Sequence, residues 1–203
     1  MNSESIRDII AEEIRSILES QGGEGSPKTL GLFIKLPESL ASKFPEKPEE
    51  PSPPHVTFLF IGDKPSDPDE YQKLIETLKR EISEMPKFRI VLDGLDYFRT
   101  PDRREPELKD QKVRVVSHVK VKFEPEMRPW KGYLWTVLEK EGFVVKDSFP
   151  EFKPHVTLGY VDDPPEDYVW EEEVPDGSFE VKQIELWGHG EDLTFNVGTK
   201  TKS

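Results

Sequence analysis

Pro54-His55-Val56-Thr57 and Pro154-His155-Val156-Thr157 are one tetrapeptide written twice in the same chain, with the two histidines one hundred positions apart. Each copy opens an apolar run, 56–61 in the first and 156–161 in the second, with the length and composition of a buried strand. On a strand, residues i and i+2 project from one face. His55 and Thr57 therefore point together, as do His155 and Thr157, and the valine between them turns into the packing beneath. Only four histidines occur in 203 residues, and two of them stand in this repeated context. Imidazole changes charge near neutral pH without perturbation, so two of them can serve as acid and base around one reacting group.

The elements around the repeat follow a matching order. The first motif is preceded by a strand over 30–36, closed by Pro37, and by a proline-rich loop over 37–54 with room for a short helix near 39–43. It is followed by a helix over 69–85, with Leu74, Ile75, Leu78 and Ile82 on one face and Pro86 beyond its end. A strand over 88–98 comes next, bent or bulged at Gly94. Residues 99–112 read as an exposed charged loop. The second half brings a period-2 strand over 113–123, a helix over 130–141 ended by Gly142, and the second motif. An acidic loop over 162–177 and strands over 179–187 and 193–197 close the chain, the two strands joined by Gly188-His189-Gly190. The expected fold class is α+β: two pseudo-symmetric lobes with antiparallel sheets and outer helices, flanking a central cleft. In that arrangement the two His-Thr pairs face each other.

Residues 1–28 stand apart from this domain of 29–203. Ile6, Ile9, Ile10, Ile14, Ile17 and Leu18 recur at helical steps over 4–19, and 22–28 reads as a flexible linker. The helix either docks, as a partner or self-association element, or packs on its own domain. Its acidic residues do not fit a signal peptide, and the chain has no apolar run near the ~18 residues of a membrane span. Cysteine is absent, which excludes disulfides and thiolate chemistry and fits a cytoplasmic location. The net charge of −13 argues against long nucleic acid as a partner. A small phosphorylated ligand remains compatible, because local clustering outweighs the total.

Two imidazoles and two hydroxyls suit displacement at phosphorus. One histidine takes a proton from the nucleophile and the other gives one to the leaving oxygen, while the threonines hydrogen-bond the non-bridging oxygens. No metal or other cofactor is expected, since the motifs carry two histidines and no acidic residue. The chain resembles the 2H phosphoesterase superfamily, in its 2′-5′ RNA ligase-like (LigT-like) branch. The resemblance spans about residues 29–197, including Phe88-Arg89-Ile90 leading to Gly94-Leu95 and the stretch Phe152-Lys153-Pro154-His155-Val156-Thr157-Leu158. It implies a bilobal fold and metal-free cleavage of cyclic phosphates or 2′-5′ phosphodiesters in a small nucleotide or short oligonucleotide, a cyclic-nucleotide signal among the options. By position, it makes His55 and His155 the acid/base pair and Thr57 and Thr157 the phosphate ligands. A non-catalytic nucleotide or RNA-end binding module, and an adaptor working through its N-terminal helix, stay open beside it.

Other residues are weaker candidates. Lys35 on the first strand either contacts phosphate or is solvated. Arg99, Arg103 and Arg104 form a basic cluster that is either a phosphate contact or ordinary surface charge. Trp130 is a candidate stacking platform, with Trp135 read as core. Tyr160, five residues after His155, falls on the opposite face of an unbroken strand and reads as core. His118 reads as surface, and His189 as a turn residue.

Overall fold

His55 and His155 are each the first residue of a strand, and each of those strands is the edge of its own sheet. The computed structural model describes residues 29–45, 52–101, 113–146, 152–162, 165, 167–188 and 190–199. The helix and linker expected over 1–28, together with Arg103, Arg104 and His189, lie outside the described residues. In chain order the elements are β1 (Thr29–Lys35), α1 (Glu38–Ala41), β2 (His55–Asp63), α2 (Pro68–Glu84), β3 (Phe88–Pro101) and β4 (Val113–Glu124). They continue with α3 (Arg128–Lys140), β5 (His155–Asp162), β6 (Gly177–Val181), β7 (Gln183–Gly188) and β8 (Glu191–Asn196). One sheet has the order β2-β1-β7-β8 and the other β5-β4-β3-β6, with every pairing antiparallel. The fold class is α+β and bilobal, as expected.

Two expectations need correction. The lobes are not the two halves of the chain, because β1 and β2 are completed by β7 and β8 while β3 to β6 form the second sheet. The run over 179–187 is likewise two strands, not one. Phe179 pairs with Ile90 in the second sheet, Glu185 pairs with Phe33 in the first, and Lys182 marks the crossing between them. An apolar pattern specifies a strand, not the sheet that receives it. The segment read as a loop from 99 also begins as strand, since β3 runs to Pro101 opposite Val113. The bulge expected at Gly94 is present: the β3–β4 register shifts between Leu92 and Leu95, and Gly94 takes φ +79°.

Local signals explain the helices. Asp67 caps α2 by accepting the Asp69 N–H at 2.8 Å, with Pro68 in the first turn followed by Asp69 and Glu70. Leu74, Leu78 and Ile82 are fully buried from this helix, as are Leu134 and Leu138 from α3, and α2 rests on β8. The helices lock through the buried Glu81, which accepts from the Tyr133 hydroxyl at 3.0 Å and pairs with Arg80 at 2.7 Å. Both motif valines, Val56 and Val156, have no exposed surface, as the alternation requires. One hydrophobic core joins the sheets. At its centre Phe58 of β2 meets the rings of Phe123 and Phe152 edge-on, at 6.5 and 6.1 Å, and β2 and β5 touch across the junction.

Candidate functional site

Each motif histidine is held by the residue two before it. His55 Nδ1 lies 2.9 Å from the Pro53 carbonyl and His155 Nδ1 lies 2.8 Å from the Lys153 carbonyl. A carbonyl oxygen only accepts, so Nδ1 carries the hydrogen in both rings, and Nε2 holds the lone pair whenever the ring is neutral. The preceding proline donates no N–H, but its carbonyl does bond. Pro54 accepts from Leu36 N–H at 3.1 Å and Pro154 from Val121 N–H at 3.0 Å. The same three-residue device thus seats both imidazoles at the start of an edge strand.

The strand registers carry the likeness much further. His55 stands opposite Lys35 and Thr57 opposite Phe33, while His155 stands opposite Lys120 and Thr157 opposite His118. One strand deeper, Phe33 is paired with Glu185 and Gly31 with Trp187; His118 is paired with Asp96 and Val116 with Phe98. Directly opposed residues in an antiparallel sheet share a face. Each lobe therefore places on its His-Thr face a lysine, a ring (Phe33 or His118), a carboxylate (Glu185 or Asp96) and a second aromatic ring (Trp187 or Phe98). Both edge strands also bulge at the residue after the motif threonine, and β2 slips a second time at Ile61. The register skips Phe58 after Thr57 and Leu158 after Thr157. A one-residue slip exchanges the faces of everything beyond it. Tyr160 consequently lies opposite Val116, on the face of His155 and half-buried, not in the core as an unbroken strand would have it.

Rings form a layer behind each histidine. In the first lobe Phe33 stacks on Trp187 at 4.5 Å, and both meet His55 edge-on, at 5.2 and 5.0 Å. Gly31 makes this possible, since a Cβ there would sit 2.6 Å from the Phe33 ring. In the second lobe His118 stacks on Phe98 at 3.9 Å, and the pair meets His155 edge-on, both at 4.9 Å. His118, read from the sequence as surface, is 2% exposed. Alternation placed it off the apolar face of β4, but at that one position the second face is covered too, by the Phe98 ring. Burial pushes its imidazole below the usual histidine range, against the Val116 carbonyl and Asp96, which favour the charged ring. Its Nδ1 lies 3.2 Å from the Val116 carbonyl.

The polar groups of the two layers differ. Glu185 accepts from Trp187 Nε1 at 2.8 Å and from Lys35 Nζ at 2.7 Å, drawing Lys35 over the Trp187 ring. Asp96 instead accepts its neighbour's backbone N–H, from Tyr97, at 2.9 Å. Among the described residues no cluster of three or more His, Asp or Glu converges as a metal ion would require. Nor is any described helix long and apolar enough to cross a membrane.

Residues 37–193 match the family model of the 2′-5′ RNA ligase superfamily. The chain belongs to that superfamily. Its LigT-like 2H fold is also that of solved structures. The Thermus thermophilus protein TT0787 is 20% identical, with a TM-score of 0.56 over 85% of this chain and 100% of that one. Escherichia coli LigT, solved with 3′-AMP, is 17% identical, with a TM-score of 0.51 over 84% and 95%. Kluyveromyces marxianus Usb1, solved with uridine monophosphate, is 13% identical, with a TM-score of 0.51 over 84% and 98%. At these identities the likeness is one of fold. No curated protein matches the sequence.

Within this superfamily frame the candidate residues divide. His55, Thr57, His155 and Thr157 occupy equivalent positions of the two lobes. Lys35 shares their face but is ion-paired with Glu185. Trp130 packs against the core and meets Tyr133 edge-on at 5.4 Å, and its described ring contacts include neither motif histidine. Sequence reasoning missed Trp187, Glu185, Phe98, Asp96 and Lys120. The signal existed as two further short repeats. Phe33-Ile34-Lys35 matches His118-Val119-Lys120, and Glu185-Leu186-Trp187 matches Asp96-Tyr97-Phe98, each a pair of one-face residues around a packing residue.

Proposed function

We propose that this chain is a metal-independent phosphodiesterase acting on a small nucleotide or short oligonucleotide that bears a cyclic phosphate or a 2′-5′ linkage. The observation that carries the reading is the matched pair of Nδ1 anchors, at 2.9 and 2.8 Å, which gives both histidines the tautomer that works through Nε2. In the step envisaged, the neutral ring accepts a proton from water at Nε2 as the water oxygen attacks phosphorus. The charged ring donates its Nε2 proton to the ester oxygen as the P–O bond breaks. Thr57 and Thr157, on the same faces, donate hydrogen bonds to the non-bridging oxygens. The nucleotides held by LigT and Usb1 support a nucleotide substrate. The catalytic unit is 29–203, and 1–28 is an appendage.

The test is a substrate panel in EDTA: 2′,3′-cyclic nucleotides, 2′-5′ oligonucleotides and cyclic di- and trinucleotides, with wild type, His55→Ala and His155→Ala. One class is expected to be cleaved by wild type only, with each variant slowed by about 10²–10⁴ and unchanged in circular dichroism. Near-wild-type rates from either variant sink the mechanism. Binding of one class without cleavage by wild type moves the protein to a non-catalytic binding module.

A further inference from the structure

The two lobes match in fold and ring layer but not in charge. Lys35 and Lys120 are equivalents, each directly opposite a motif histidine. Lys35 is neutralised, its Nζ 2.7 Å from Glu185 Oε2 and its stem drawn over Trp187. Glu185 is itself fixed by the indole N–H and largely shielded, at 13% side-chain exposure, so the pair is well held. The corresponding carboxylate of the second lobe, Asp96, is one methylene shorter and turned to the Tyr97 N–H. The next lysine on that face, Lys122, is paired with Asp93 at 2.9 Å. Lys120 is exposed, and among the described residues no carboxylate lies within ion-pair distance of it.

We propose that Lys120 is the cation that holds the substrate's phosphate, and that Lys35 is not. The inference rests on the phosphodiesterase reading for its substrate, and its geometry on the register alone. Opposed Cβ atoms in an antiparallel pair are about 4.5–5.5 Å apart, so the Lys120 stem starts beside the His155 ring. An ammonium on a flexible stem is a point charge suited to phosphate, and it is most effective where no carboxylate competes for it. In a chain of net charge −13, a lysine beside His155 and Thr157 with no described carboxylate at ion-pair distance defines where an anionic group is attracted. The phosphate charge is thus taken by the second lobe, and the first lobe offers the substrate a neutralised lysine and the half-buried Trp187 ring.

Calorimetric binding of 3′-AMP and of adenosine to wild type, Lys120→Gln, Lys120→Arg and Lys35→Gln tests this without turnover. Wild type is expected to prefer 3′-AMP. Lys120→Gln is expected to lose about tenfold or more of the 3′-AMP affinity and none for adenosine. Lys120→Arg is expected to restore most of the loss, and Lys35→Gln to cost less. A Lys120→Gln protein that binds 3′-AMP like wild type, a larger loss from Lys35→Gln, or a wild type without preference overturns the assignment. The two readings fail separately. Absence of turnover on the panel with this binding pattern removes the phosphodiesterase and keeps the anchor. Turnover with an unchanged KM in Lys120→Gln does the reverse.

Discussion

Replacing His118 with phenylalanine asks how deep the equivalence of the lobes runs, because Phe33 already fills that place in the other sheet. The His118 ring is 2% exposed and stacked at 3.9 Å on Phe98. His118→Phe keeps the ring, removes the 3.2 Å contact with the Val116 carbonyl and deletes two buried nitrogens. Loss of the hydrogen bond costs about 1 kcal/mol, and the added apolar burial offsets a similar amount. At about pH 7.5 the two proteins should therefore agree within about 1 kcal/mol. In acid they should part. Burial depresses the folded imidazole below 6.5, with Lys120 acting in the same direction and Val116 and Asp96 opposing. Below pH 6.5 the unfolded chain binds a proton that the folded ring refuses. The stability held above that pH is lost as pH falls toward the folded-state value, with a slope that one proton limits to about 1.4 kcal/mol per pH unit. The His118→Phe variant lacks this loss. Urea unfolding of both proteins from about pH 7.5 to about pH 5 measures it. The variant should gain on wild type steadily as pH falls across that range. A pH-independent difference, or a variant more than about 3 kcal/mol weaker at neutral pH, refutes the reasoning.

Two further outcomes follow from the packing. Phe58→Ala removes the fully buried ring that joins the sheets and should lower stability by about 3–5 kcal/mol, read from the urea midpoint. Trp187→Ala strips a ring from His55 and releases Glu185; kcat should fall by about tenfold to a hundredfold with the far-ultraviolet spectrum intact. An unchanged kcat would make the ring layer mere packing.

The repeated tetrapeptide was legible because it is local: four residues name a strand start, a face and a titrating group together. What surrounds each histidine was not. Trp187 reaches His55 across β1 from the far end of the chain, so no local pattern links them. His118 was misplaced because alternation sorts residues into apolar and polar faces, and on the polar face of β4 a single position, under Phe98, is buried while Lys120 and Lys122 stay exposed. Tyr160 was misplaced by one bulged residue, Leu158, whose effect on every later side chain leaves no mark in composition. The assignment of strands to sheets failed at Lys182 for a similar reason, since an apolar pattern does not name the sheet that receives it.

The crossing at Lys182 bears on the order of assembly. The second sheet takes β3 to β6 in succession, from Phe88 to Val181, whereas the first must unite Phe33 with Glu185. Closing the longer loop costs more chain entropy and slows the search. A growing polypeptide can therefore complete the surroundings of His155 while β1 still has β2 as its only partner. A chain ending before Gln183 would keep Phe98 and His118 beside one histidine and leave the other without Trp187 or Glu185. On that order the two imidazoles would be seated at different times, and the proposed two-histidine chemistry would await the return of β7 to the opening strand.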